Sequence, residues 1–201
     1  FTHIYERDFE PALEIARRTL KTARRIGDAW SEGEAWNQLG EVARLQGRLS
    51  DAHEHYQRLL KSTLRRDPRN RIIGELNLAL VEVAMEHEGV EERLGWLGDH
   101  IENSTERAHL PSVLLAYVGL AASRENWANW RLHFEEAMNV MAQRPEHLSD
   151  IAWIATVAEE LTRQHTEDEQ LVGLIADEAA RLRKLNGFDD YDESFFAEMR
   201  S

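Results

Sequence analysis

Apolar residues recur along most of the chain at intervals of three and four, which is the spacing of one helical face. The clearest stretch is residues 34–63, where two such stripes stand on either side of Gly47. The stripes are Trp36, Leu39 and Ala43, then Leu49, Ala52, Tyr56 and Leu59. Two amphipathic stripes joined through a glycine predict a helical hairpin. Neither helix can bury its apolar face alone, so we expect neighbouring hairpins to stack.

The same reading of the whole chain predicts an all-α fold of about nine helices. No segment has the two-residue alternation of a half-buried strand. The connections are short, so successive helices should be antiparallel. The predicted helices cover approximately residues 8–26, 29–46, 49–66, 70–88, 90–103, 110–124, 127–142, 147–164 and 167–186.

Several residues mark predicted helix ends. Pro111 suits the first turn of a helix, where its missing N–H costs nothing. Thr166 and Glu169 have the spacing of a capping box that would open the last helix. Asn186 and Gly187 fit the end of that helix. We therefore divide the chain into a helical repeat domain, residues 1–187, and an acidic and aromatic tail, residues 188–201.

The hairpin at residues 34–63 resembles a tetratricopeptide repeat (TPR). The family pattern W-x2-L-G, then Gly, then A-x3-F/Y, is present as Trp36–Gly40, Gly47, and Ala52 followed by Tyr56. The family's trailing proline is missing. A preceding segment aligns at a spacing of 40 residues, which is similar to the longer repeats of bacterial signalling ATPases and transcription regulators. The resemblance implies a right-handed superhelix of stacked antiparallel hairpins.

The resemblance also implies a concave groove lined by the first helix of each hairpin. Counting from the leucine of W-x2-L-G, the family's groove positions and their neighbours fall on ten residues of this chain. They are Asn37, Glu41, Arg44, Leu78, Glu82, Met85, Glu86, Tyr117, Arg124 and Trp153. Some TPR proteins hold a peptide's C-terminal carboxylate with Lys and Asn. Here only Asn37 matches, so we expect a basic or mixed apolar peptide instead.

The charge distribution bears on the class of partner. Residues 1–80 carry 14 Lys and Arg against 12 Asp and Glu, whereas residues 81–201 carry 10 against 25, and the chain's net charge is −13. This balance disfavours nucleic acid, which needs clustered Lys and Arg. The acidic half is either a solvated helix surface or a face that attracts a basic partner. Basic runs at 17–25 and 58–71 could pair with the acidic half of a second copy, so self-association stays open.

Composition limits the remaining classes. The chain has no Cys, which excludes disulfides and thiolate metal sites and fits a cytoplasmic protein. No apolar run approaches about 20 residues, so we expect no membrane span. The chain begins with Phe1 rather than Met, and a catalytic or DNA-binding domain upstream of Phe1 stays open.

The sequence offers no catalytic constellation. Among nine His, none forms H-E-x-x-H, and His53 and His55 point to different faces of a helix. Glu106 and His109 form the single E-x-x-H, whereas di-iron bundles need two. No nucleophile elbow or phosphate-binding glycine loop is present. We therefore expect no metal, no cofactor and no enzymatic activity.

The six tryptophans are expected to fill the core for the most part, because most lie on apolar stripes. They are Trp30, Trp36, Trp96, Trp127, Trp130 and Trp153.

Two functions are compatible with these patterns. The leading hypothesis is a protein–protein interaction module, the scaffold or sensor arm of a larger signalling or regulatory protein, with a peptide or protein segment in the groove. The alternative is a regulatory domain that binds a peptide or small molecule in a closed pocket lined by Tyr117 and Trp153. The sequence names neither the partner nor the pathway.

Overall fold

The computed structural model describes residues 9–63, 68–101, 104–143 and 149–187. These residues form nine α-helices and one 3-10 turn, Arg107–His109, and contain no strand. The helices are α1 (Phe9–Ile26), α2 (Ala29–Leu45), α3 (Leu49–Thr63), α4 (Pro68–Ala84), α5 (Val90–Ile101), α6 (Leu110–Ser123), α7 (Trp127–Gln143), α8 (Ser149–His165) and α9 (Glu169–Leu185). The prediction of an all-α fold is confirmed for this part of the chain.

The end of α4 differs most from the sequence-based bounds. We predicted a helix to residue 88, but α4 ends at Ala84. Glu86 adopts a left-handed backbone conformation, with φ 51°. The N–H groups of Glu86 and His87 donate to the carbonyls of Val83 and Glu82, at 3.0 and 2.9 Å. This arrangement closes the helix as a C-terminal cap normally does with glycine.

The start of α9 corrects a second expectation. The capping box at Thr166 and Glu169 is wrong, because Asp168 is the N-cap residue of α9. Its carboxylate accepts from the N–H groups of Gln170 and Leu171. Thr166 instead accepts from the N–H of Asp168 at 3.1 Å. Pro111 does lie in the first turn of α6, as predicted.

Within the described ranges, no helix is both long enough and apolar enough to cross a membrane.

The described residues fall into two compact units, residues 9–81 (unit 1) and residues 82–187 (unit 2). The boundary lies within α4, so residues 82–84 of that helix belong to unit 2. A single repeat domain over residues 1–187 stays a prediction. The predicted tail at 188–201 lies outside the described residues.

Unit 1 is built around the α2–α3 hairpin. The two helices pack closely, and both predicted apolar stripes are buried. Gly40 makes the close approach possible, because a Cβ on it would come within 2.8 Å of the Cδ1 and Cζ atoms of the Tyr56 ring. Gly47 turns the chain between the helices with φ 72°. α1 packs against α2.

The portion of α4 in unit 1 touches both helices of this hairpin. Gly74 lies close to α3, since a Cβ there would come 2.9 Å from Leu60 Cδ2. Asn77 donates from Nδ2 to Oδ1 of Asn37 on α2, at 2.9 Å. A helix that follows a hairpin therefore contacts both members of it.

Unit 2 repeats this pattern. α6 packs against its neighbour α7 and also against α8, and α8 packs against α9. Gly119 on α6 permits the close contacts, because a Cβ there would meet Val83 Cγ1 at 2.9 Å and Leu161 Cδ1 at 3.4 Å. Trp130 on α7 is fully buried and donates its indole N–H to Thr162 on α8, at 3.0 Å.

Helix α6 is the most buried helix segment of unit 2. Eleven of its 14 residues are buried, from Pro111 to Ala122. A helix whose faces are all apolar is normally surrounded by other elements of the protein. The packing of α5, α7 and α8 against α6 accounts for this pattern.

The six tryptophans differ in burial, and Trp96 and Trp127 are half-buried. Trp36, Trp130 and Trp153 are 4%, 0% and 1% exposed and fill the cores of their units. Trp30 is 59% exposed at the start of α2, so core filling does not extend to it. The guanidinium groups of Arg24 and Arg58 lie over the Trp36 ring, 5.1 and 4.8 Å from its centroid.

Candidate functional site

Four of the ten predicted groove residues belong to unit 1, and two of them form a hydrogen-bonded network. Glu41 accepts from Arg44 Nη2 at 2.7 Å and from the Tyr56 hydroxyl at 2.9 Å. Arg44 is 1% exposed and Tyr56 is 0% exposed. This carboxylate therefore fastens α2 to α3 through the hydroxyl of the buried tyrosine.

The other two lie on α2 and α4. Asn37 is half-buried and accepts the Asn77 amide N–H at 2.9 Å. Leu78 is 1% exposed, so its side chain belongs to the core and not to the solvent-exposed surface.

Three predicted residues lie at the end of α4 and in the following turn, in unit 2. Glu82 is 3% exposed and accepts from Arg93 Nε on α5, at 2.7 Å. Met85 is 39% exposed. Glu86 is exposed beside it, and its carboxylate lies 3.5 Å from His165 Nε2.

Of the last three predicted residues, two line one cleft and the third does not. Tyr117 and Arg124 line the same surface cleft. Trp153 is 1% exposed on α8 and is not among the described residues that line this cleft. The pocket that we predicted from Tyr117 and Trp153 together therefore contains the tyrosine alone.

We call this opening the α5–α7 cleft, and it lies entirely within unit 2. It has a volume of about 200 Å³. Its described lining comes from the first residues of α5, the second half of α6, the turn between α6 and α7, and the first half of α7: Glu91, Tyr117, Leu120, Ala121, Arg124, Asn126, Asn129 and His133. Leu120 and Ala121 are 7% and 6% exposed, so the cleft has an apolar floor and polar walls.

Two aromatic rings form one wall of the cleft. Tyr117 and His133 are stacked, with ring centroids 4.7 Å apart and an interplanar angle of 19°. Burial lowers the pKa of His133 below its ordinary value, which Glu136 partly opposes. Burial raises the pKa of Tyr117, and the charges of Glu91 and Asp99 act in the same direction. Both rings are therefore neutral near pH 7.

An ion pair also lines the cleft. Arg124 Nη1 donates to the Glu91 carboxylate, and the two side chains are 43% and 66% exposed. Asn126 directly precedes α7, and its Oδ1 accepts from the N–H of Asn129 at 3.2 Å. The preceding residue, Glu125, has φ 54°. This tight turn brings the end of α6 and the start of α7 to the same rim.

Sequence reasoning found Tyr117 and Arg124 but missed four polar residues of the cleft. Glu91, Asn126, Asn129 and His133 lie on three segments that are up to 42 positions apart. A helical spacing signal was present for one pair, because Asn129 and His133 stand four positions apart on one face of α7.

The described residues contain no group of three or more His, Cys, Asp or Glu that could hold a metal ion. Glu106 and His109, the E-x-x-H pair, lie with Oε2 and Nε2 3.8 Å apart. Among the described residues, no third such ligand joins them. The polar groups of the cleft can donate, accept and stack, which are the interactions of a binding site.

No protein-family model, no curated protein and no solved structure matches this chain.

Proposed function

We propose that this chain is a TPR-like protein–protein interaction module that binds a basic or mixed apolar segment of its partner. One observation carries the proposal: helices pack against both the next helix and the next but one, at contacts made close by Gly40 and Gly119. Such packing is how helical hairpins stack into repeat arrays. In these arrays the first helix of each hairpin lines the binding surface.

The exposed turn that follows α4 supports a basic segment. Glu82, at the end of α4, is buried and paired with Arg93, whereas Met85 and Glu86 are exposed. A flexible Met beside carboxylates suits a mixed apolar and cationic partner. A role as the scaffold or sensor arm of a larger cytoplasmic signalling protein belongs to the same proposal.

Selection from a random 12-residue peptide library, followed by fluorescence anisotropy, tests this function. We expect selected peptides to be enriched in Lys, Arg and apolar residues. Glu86→Lys should weaken their binding because it reverses a charge on the exposed turn. Glu135→Lys is the matched control, since Glu135 is exposed on α7 and lies outside this turn. Failure to select any peptide, or equal binding by both variants, would contradict the proposal.

The α5–α7 cleft favours a second candidate function, a regulatory domain that holds a small ligand. The observation behind it is a cavity with an apolar floor and converging polar groups, which is the usual form of a ligand site. A thermal-shift screen of small metabolites separates the two functions. A ligand whose stabilisation is abolished by Tyr117→Leu supports this second function.

A further inference from the structure

The α5–α7 cleft has an excess of negative charge around it. Among its described lining residues, Arg124 is the one cation, and Glu91 already pairs with it. Two carboxylates outside the lining add to this charge. The charge of Asp99 raises the pKa of Tyr117, and the charge of Glu136 raises the pKa of His133. Glu125 follows Arg124 directly in the chain. A positively charged group that enters the cleft therefore meets a favourable potential.

The aromatic wall suits a flat cation. The rings of Tyr117 and His133 are stacked nearly parallel, so an entering group meets the outer surfaces or edges of a two-ring platform. Because burial disfavours the charged form of His133, this platform does not repel a cation near neutral pH. Guanidinium groups stack on aromatic faces and lose less hydration than ammonium groups when they do so.

The polar rim supplies hydrogen-bond acceptors for such a group. Asn126 and Asn129 carry side-chain carbonyl oxygens, and Tyr117 carries a phenolic oxygen. Asn129 is exposed on the first turn of α7. The five N–H donors of a guanidinium can use several acceptors at once, whereas an ammonium offers three.

The ion pair at the rim can exchange partners. Both Glu91 and Arg124 are substantially exposed, and exposed pairs of this kind are weak. An incoming guanidinium can therefore take the place of Arg124 at the Glu91 carboxylate, while Arg124 turns to solvent.

We propose that the α5–α7 cleft is a specificity pocket that accepts an arginine side chain of the partner segment, in preference to lysine. This inference rests on the proposed function as an interaction module, and it assigns one residue of the bound segment to one place in unit 2.

Four fluorescein-labelled heptapeptide pools test the inference, each with a fixed central Arg, Lys, Gln or Glu and randomised flanks. Anisotropy titrations of the whole chain should give affinities in the order Arg, Lys, Gln, Glu. We expect the Arg pool to bind about fivefold more tightly than the Gln pool. Equal affinities for the Arg and Gln pools would overturn the inference.

Substitutions at the rim make opposite predictions for the Arg pool. Glu91→Gln should weaken its binding about fivefold, because the carboxylate is lost and Arg124 is left as an unpaired cation. Arg124→Gln should strengthen binding, because the competing cation is gone. Glu92→Gln is the matched control, since Glu92 is exposed on the same turn of α5 and does not line the cleft. The reverse signs would mean that the cleft takes an anionic group and would overturn the inference.

The pools also distinguish this inference from the proposed function. If all four pools bind equally and the rim variants change nothing, while Glu86→Lys still weakens selected peptides, the arginine pocket is wrong and the interaction module stands. Photocrosslinking of the Arg pool gives a second test. If selected peptides bind but the Arg pool does not crosslink preferentially to residues of unit 2, the arginine pocket is likewise refuted.

Discussion

Replacing Gly40 by Ala tests the close contact within the α2–α3 hairpin. In an open helix, Gly→Ala stabilises because the added methyl group restricts the unfolded chain. Here the new Cβ would come within 2.8 Å of two atoms of the Tyr56 ring. Tyr56 is 0% exposed, and its hydroxyl donates to Glu41 at 2.9 Å, so the ring cannot move without cost.

The expected magnitude combines opposing effects. The helix-propensity gain is about 1 kcal/mol, whereas overpacking a filled core costs about 1–3 kcal/mol. A ring that moves aside also lengthens its hydrogen bond to a carboxylate, a type of bond worth about 1.5–3 kcal/mol. We therefore expect Gly40→Ala to lower the free energy of unfolding by about 2 kcal/mol.

Urea unfolding followed by circular dichroism measures the effect, with the slope m checked for constancy. Gly98→Ala on α5 and Gly173→Ala on α9 are the controls, because a Cβ at either position meets no atom within 4 Å. They should stabilise by up to about 1 kcal/mol. In a Tyr56→Leu background, Gly40→Ala should lose most of its cost. Stabilisation by Gly40→Ala in the unaltered chain would refute the reasoning.

Three further predictions use the same urea assay. Asp168→Ala should destabilise by about 1 kcal/mol because it removes the N-cap of α9, and a larger effect from Thr166→Ala would contradict this assignment. Thr162→Val should cost about 1–3 kcal/mol because it leaves the buried Trp130 N–H without its acceptor; an unchanged midpoint would argue against that bond. Burial lowers the pKa of His133 below its ordinary 6.5, so the unfolded chain takes up a proton first and stability declines as the pH falls through that value. His133→Gln should reduce this decline, and an identical pH profile would count against it.

The helix bounds could be read from the sequence wherever glycine or a capping residue marks an end. Gly27, Gly47 and Gly187 all have positive φ at helix ends, and the neighbouring bounds differ from prediction by few residues. The end of α4 could not be found in this way. Glu86 takes the left-handed conformation that the sequence gives reason to expect only of Gly or Asn, so the predicted helix extended beyond its actual end at Ala84.

The candidate site was less accessible to prediction than the fold. Periodicity identifies which face of a helix is apolar, but it does not say which helices meet at a given surface. Tyr117 and Arg124 were selected because a family pattern pointed to them. Their companions Glu91 and His133 come from other helices, and only packing brings these side chains together. The TPR-like superhelix itself stays a prediction, as does the set of groove residues that depends on it.

The burial of α6 has a consequence for how unit 2 meets a ligand. Amide hydrogens in a helix enclosed on all sides exchange only when the surrounding structure opens, so α6 should be the slowest-exchanging segment of unit 2. Tyr117, Leu120 and Ala121 belong to that helix. The floor of the cleft is thus held rigid before anything arrives, and association there costs little ordering entropy.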